Sequence, residues 1–179
     1  MRHTIVTCVL FVMLGMATET HAEGVLRIFG GVGSGEFYRG GGGASFGFDV
    51  HVSDERAFYA GVQFTFHNGD ENKQLPDGIS GGNNVIGDAS QSQIAAEIGV
   101  TLGSYPWVVR PTVGGGVSRI ALDSGTVVLT SEVRSLIYGG ITAGRMVAET
   151  ALVGIEVRVM RVGDLGNSVG GYLTLGTTF

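Results

Sequence analysis

The chain has 179 residues, of which 32 are glycine, one is lysine (Lys73) and only 15% are Asp, Glu, Lys or Arg. Soluble domains carry about 25% charged residues, so an ordinary water-facing surface is excluded. Three prolines, no Gly-X-Y period and 44% apolar residues exclude collagen and a disordered linker, and a net charge of −5 leaves no footprint for nucleic acid.

Residues 1–22 read as a secretory signal peptide. Arg2 and His3 form a short basic region, Ile5 to Met16 an apolar run, and Thr20-His21-Ala22 a small-residue cleavage site, with cleavage after Ala17 as the alternative. The apolar run is too short for a spanning helix. Cys8, the only cysteine, leaves with this leader, so residues 23–179 form one thiol-free domain. No later stretch reaches 18 continuous apolar residues.

Strand periodicity then runs to the C-terminus. A first strand is expected over about 24–33. In the second, Ala44, Phe46, Phe48, Val50 and Val52 alternate with Ser45, Gly47, Asp49 and His51. In the third, Phe58, Ala60, Val62, Phe64 and Phe66 alternate with Tyr59, Gly61, Gln63, Thr65 and His67. The fourth sets Ile94, Ala96, Ile98, Val100 and Leu102 against Gln93, Ala95, Glu97, Gly99 and Thr101. Fifth and sixth strands are expected over about 107–119 and 133–146. The seventh sets Ala151, Val153, Ile155, Val157 and Val159 against Leu152, Gly154, Glu156, Arg158 and Met160. The eighth closes the chain over about 169–179. No segment offers a competing helical period with caps.

Connections alternate in length. Ser53-Asp54-Glu55, Ser104-Tyr105-Pro106 and roughly 147–149 are tight, whereas about 34–43, 68–91, 120–132 and 161–168 are longer. The polar, Gly-rich 68–91 loop is expected to be mobile. This pattern predicts an all-β, eight-stranded antiparallel up-and-down transmembrane β-barrel following the signal peptide. In that setting the tight turns lie on the periplasmic side.

The composition of the polar face decides which side meets lipid. A soluble lipocalin-like barrel would show long Lys, Glu and Arg side chains on its outer wall. Here the polar set is small (Ser45, Gly47, Gly61, Thr65, Ala95, Gly99, Thr101, Thr112, Gly114, Gly116), as suits a crowded eight-stranded interior. Its large members balance: Arg27, Arg110 and Arg158 against Asp49, Glu97 and Glu156. These six are expected to form a lumen charge network, since unpaired charges there cost several kcal/mol. The other face is nearly free of charge, as lipid requires when a mid-bilayer Arg costs about 2–4 kcal/mol. Phe58, Trp107 and Phe179 fall near the tight turns as an aromatic girdle, with Phe64 and Phe66 at the opposite rim. Strands of about 9–11 residues match a tilted crossing of the hydrocarbon. Pro111 removes a ladder donor, and a bulge or a position near the periplasmic end is expected to accommodate it.

The last strand, Tyr172-Leu-Thr-Leu-Gly-Thr-Thr-Phe179, resembles the terminal strand of bacterial outer-membrane barrels, with Thr177 where an aromatic or aliphatic residue is more usual. Arg110-Pro-Thr-Val-Gly-Gly-Gly-Val-Ser118 resembles the Pro-centred fifth strand of small OmpA-like and OmpX-like barrel domains, with Thr112 where Tyr often follows the Pro. The resemblance implies a stand-alone outer-membrane barrel of a Gram-negative envelope, exported through the Sec pathway. It further implies that Phe179 is the insertion signal, read by the barrel-insertion machinery after delivery by periplasmic chaperones.

Catalytic signals carry little weight. Gly43-Ala-Ser45-Phe-Gly47 and Gly78-Ile-Ser80-Gly-Gly82 match G-x-S-x-G, but so many glycines produce such matches by chance and neither opens a helix. Ser45 and His51 lie six residues apart on one strand, about 20 Å by strand rise, too far to cooperate. The His-x-Ser pairing of barrel deacylases is missing, and His67 is left as a loose candidate at the outer rim. Asp70, Glu71 and Asp77 read as a solvated loop rather than a Ca²⁺ site, and no His/Cys cluster has metal-ligand spacing. No enzyme activity, cofactor or metal is expected. Arg39, Arg119, Arg134 and Arg161 fall at the loop ends of different strands, where they are expected either to contact lipopolysaccharide phosphates or simply to snorkel. The leading functional expectation is a monomeric barrel with a filled lumen and a structural, envelope-integrity or surface-interaction role. A narrow small-solute channel is the alternative, and a lipid A-modifying enzyme a weaker one.

Overall fold

A computed structural model describes residues 21–35, 37–71, 73–74, 86–126, 128–130 and 133–179. Residues 1–20 of the leader expected over 1–22, the second G-x-S-x-G match, Asp77 and the centre of the expected mobile loop lie outside the described residues.

The described chain forms ten strands: β1 (Ala22–Ser34), β2 (Gly40–Ser53), β3 (Arg56–Asn68), β4 (Lys73–Gln74), β5 (Ile86–Leu102), β6 (Trp107–Asp123), β7 (Val128–Thr130), β8 (Arg134–Ala148), β9 (Ala151–Val162) and β10 (Asn167–Thr178). Eight of them pair antiparallel with their neighbours around a closed wall, β1 meeting β10 with Val25 opposite Thr178. The short β4 and β7 extend β5 and β6 beyond the wall. Closure leaves no sheet edge, so every wall strand finds a ladder on both sides. Tight turns at Asp54–Glu55, Gly103–Pro106 and Glu149–Thr150 gather at one end with both described termini, and the remaining connections gather at the other. We call these the turn end and the loop end.

The strands exceed the expected length. They run 12 to 17 residues, and all four connections expected to be long shrink accordingly. The ladder continues past the apolar belt because each added backbone pair is satisfied by its neighbour. The inward face there still has residues to bury, Ile120 and Leu122 among them.

Strand parity sorts the side chains. Ile28, Phe64, Ile98, Val113, Ile141 and Leu173 stand exposed on the outside, and Arg27, Asp49, Glu97, Glu156 and Arg158 are buried inside. A soluble barrel has the opposite order. An apolar outer wall this continuous is stable only against hydrocarbon. Phe58, Trp107 and Phe179 lie on this wall at the turn end, where the Phe179 ring stacks 6.3 Å from Phe46 and the Arg145 guanidinium lies 5.7 Å from the Trp107 ring.

Pro111 is accommodated without a bulge. Gly99 faces Thr112 and Leu102 faces Val109 in one unbroken register, but the two pairs between them are missing from the β5–β6 ladder. On the other side Pro111 pairs normally with Ile141. The missing N–H therefore faces β5, and an apolar groove of about 540 Å³ opens on the outer wall there, beside Ile98, Val100 and Val113.

Candidate functional sites in the lumen and at the rim

Alternation turns one residue in two inward, so six charges on five different strands converge inside the barrel. Nearest the turn end, Arg110 on β6 pairs with Asp49 on β2 and donates from Nε to Thr101 Oγ1 at 2.8 Å, while Thr101 donates to Asp49 Oδ1 at 3.1 Å. Above it, Arg27 on β1 reaches Glu97 Oε1 on β5 at 2.5 Å and donates to Ser45 Oγ at 3.0 Å. Its second nitrogen stands 3.8 Å from Glu156. Glu97 also accepts from the Tyr59 and Tyr138 hydroxyls at 2.7 and 2.8 Å. Arg158 and Glu156, two apart on β9, pair at 2.5 Å. The Arg158 guanidinium is walled by the rings of Phe29, Tyr138 and Tyr172, 4.6–5.2 Å from its carbon. Each of the six charges thus has an opposite partner in a site almost closed to water, where a lone ion is costly.

Towards the loop end the filling turns aromatic and then apolar. Tyr38, from the short connection between β1 and β2, folds into the barrel and packs 4.2 Å from the His67 ring and 6.4 Å from Tyr172. The tyrosine ring needs two residues without side chains: a Cβ on Gly33 or Gly170 would fall 1.7 or 2.0 Å from its atoms. Gly114 makes the same allowance for Tyr138, whose ring lies 2.3 Å from where a Cβ would be. Burial raises the Tyr38 phenol above its usual range. Phe37, Ala89, Ile120 and Leu122 form an apolar cap above, with Leu165 against it. A cavity of about 240 Å³ enters from the turn end past Glu23, His51 and Glu149, and its lining stops at Arg110, Asp49 and Arg27.

His67, a candidate at the outer rim from sequence, is instead fully buried under Tyr38. Its odd parity along β3 points it inward. Ser45, Asp49 and His51 do not assemble into a catalytic set: Ser45 accepts from Arg27, Asp49 holds Arg110, and His51 Nε2 lies 3.6 Å from Glu23. Among the described residues no three His, Cys, Asp or Glu side chains group as a metal site.

The four rim arginines do not behave alike. Arg39 is held by Asp70, whose hydrogen bond and charge raise its guanidinium above its usual range, and Arg134 is held by Asp164. Arg161 donates from Nε to the Gly163 carbonyl at 3.3 Å. Arg119 projects outward from β6, exposed, with no carboxylate partner among the described residues.

No family model matches the sequence, and no curated protein does. Solved structures do. Ail, the attachment invasion locus protein of Yersinia pestis, solved in complex with the heparin analogue sucrose octasulfate, superposes with a TM-score of 0.60 at 10% identity, over 90% of this chain and 100% of its own. Neisserial surface protein A superposes with a TM-score of 0.59 at 12% identity, over 90% and 98%. The N-terminal β-barrel domain of Pseudomonas aeruginosa OprF gives 0.52 at 12% identity, over 90% and 100%. The chain shares their fold, a closed eight-stranded antiparallel barrel.

Within that barrel, sequence reasoning overlooked the groups that complete the network. Tyr59 and Tyr138 sit at inward parity beside Glu97 and supply its hydroxyl donors. Following the period of β6 four residues further would also have turned Ile120 and Leu122 inward. The Tyr38 plug had no periodic signal, because it comes from a connection rather than a strand.

Proposed function

We propose that the protein is a monomeric outer-membrane barrel of a Gram-negative envelope, with a structural or surface-interaction role and no large pore. It reaches that membrane through the Sec pathway, residues 1–22 serving as the leader and residues 23–179 as the barrel. The observation that carries this reading is the filled lumen inside an apolar wall. From Arg110 to Leu122 the interior is occupied by paired charges, aromatic rings and an apolar cap, while the outside offers lipid a nearly charge-free surface. A narrow solute path would have to cross the Arg27–Glu97–Tyr138 layer, which supports the sealed reading over the channel.

In this reading Phe179 signals insertion to the barrel-assembly machinery after passage with periplasmic chaperones. Its backbone exchanges hydrogen bonds of 2.8 and 3.0 Å with Gly24, so strand recognition and barrel closure use the same residue. The six lumen charges serve to fill and fix the barrel rather than to conduct, and no catalysis or cofactor is assigned. Arg39, Arg119, Arg134 and Arg161 face the headgroup level at the loop end and meet lipopolysaccharide. Guanidinium forks suit phosphate and sulfate alike, and the Ail structure holds a sulfated sugar.

The test is twofold. Protein from an outer-membrane fraction should migrate faster unheated than boiled in SDS gels. Purified barrels should give no sustained conductance in planar bilayers and no swelling of liposomes in small solutes. A freely soluble, heat-insensitive protein would sink the membrane reading, and solute-dependent swelling would replace the sealed barrel with a channel.

A further inference from the structure

We propose that the outer face of β5 and β6 near the loop end binds one phosphate-bearing lipid, its phosphate on Arg119 and its acyl chain in the groove below. The proposal rests on the outer-membrane reading above. Along the wall, Phe64 stands opposite Ile94 and Ile94 opposite Val117, so these three side chains form one cross-strand row on the outer face. The next outward row towards the loop end, about 7 Å away, places Ser92 between Phe66 and Arg119. Serine is too short to fill the space its neighbours leave. A groove of about 330 Å³ opens there, lined by Phe64, Ser92, Ile94, Val117, Arg119 and Val133.

The order of chemistry along this groove is that of an amphiphile lying against a barrel. Its foot is apolar and points to the membrane interior, and its head presents a guanidinium beside a hydroxyl. Arg119 is also the rim arginine with capacity to spare. Asp70 occupies Arg39, Asp164 occupies Arg134 and the Gly163 carbonyl takes the Nε of Arg161. An arginine forks onto phosphate through two parallel donors, and its positive charge complements the headgroup as no neutral rim residue would. A merely snorkelling arginine needs neither a groove beneath it nor a serine beside it.

Native mass spectrometry of the barrel in phosphatidylcholine nanodiscs doped with lipid A tests the site. The wild-type barrel should retain one phosphorylated lipid A. R119Q should lower its retention about tenfold, the scale of one charge-assisted hydrogen bond. Ser92→Trp, which fills the groove and keeps the charge, should lower it as well, whereas R56Q and R145Q, at exposed arginines of the turn end, should leave it unchanged. All four positions lie on the outside, and the heat-modifiable shift verifies that each variant is folded. Equal retention by R119Q, equal binding of dephosphorylated lipid A, or loss in R145Q as great as in R119Q would each overturn the proposal. Displacement of the lipid by inorganic phosphate alone would reduce the groove to a bare anion site and overturn its lipid half. A wild-type barrel that inserts but carries no phosphorylated lipid overturns only this site; a chain that fails to insert overturns the outer-membrane reading itself.

Discussion

Glu97 accepts from three groups at once, the Arg27 guanidinium and the Tyr59 and Tyr138 hydroxyls. Glu97→Ala would strand all three inside a closed lumen. Removing one member of a buried pair costs about 3–5 kcal/mol, so the urea midpoint of the reconstituted barrel should fall by that equivalent. Glu97→Gln keeps an acceptor for one hydroxyl and should cost less; an equal loss in both variants would deny the charge any part. Tyr38 makes a second case at the same scale. Its phenol is held neutral by burial, and its folded value lies above the unfolded one near 10. The unfolded chain therefore sheds this proton first as pH rises, so the stability it contributes is full below about pH 10 and declines above it. Gly170→Ala should mimic the alkaline loss at neutral pH by evicting the ring, and Tyr38→Phe should flatten this part of the pH dependence. Protection of the 35–39 amides against hydrogen exchange reads both.

Pro111 shows how an element absorbs a residue that local rules disfavour. β6 keeps its register with β5 and forgoes two ladder pairs, so the defect stays on one side of one strand. Pro111→Val restores a donor facing β5. It should slow amide exchange at Val100 and Thr101 and stabilise the barrel by about 1 kcal/mol, one net hydrogen bond. Unchanged exchange there would mean that the gap has another cause. All eight wall strands were legible in the sequence, four of them because apolar and polar residues alternate so cleanly, as from Ala44 to Val52 and from Ala151 to Met160. Their ends were not, since at Gly40–Gly43 and Gly87–Ser92 the outward residues are glycine or polar and the period fades while the ladder persists. Charge balance likewise brought out the six lumen ions, but not who meets whom. Pairing across the lumen, such as Arg27 on β1 with Glu97 on β5, depends on barrel shear, which no linear period encodes.

The molecule is sealed twice, by unlike chemistry. One seal is the charged layer of Arg27, Glu97, Glu156 and Arg158, held by hydrogen bonds between strands. The other is the Tyr38 ring with its apolar cap, delivered by a connection and seated in slots left by glycine. Neither depends on the other for its partners, apart from ring contacts around Tyr172. Removing the plug by Tyr38→Ala should therefore leave planar bilayers silent, because the ion layer still fills the cross-section. Neutralising a matched pair by Arg27→Ser with Glu97→Ser should also leave them silent, because the plug remains and no buried charge is stranded opposite the lost one. Only the combination joins the turn-end cavity to the loop end, and it should give small, brief openings. Conductance from either change alone would show that one seal carries the whole barrier. Silence from all three would mean that the glycine-lined wall collapses onto the space the side chains vacate.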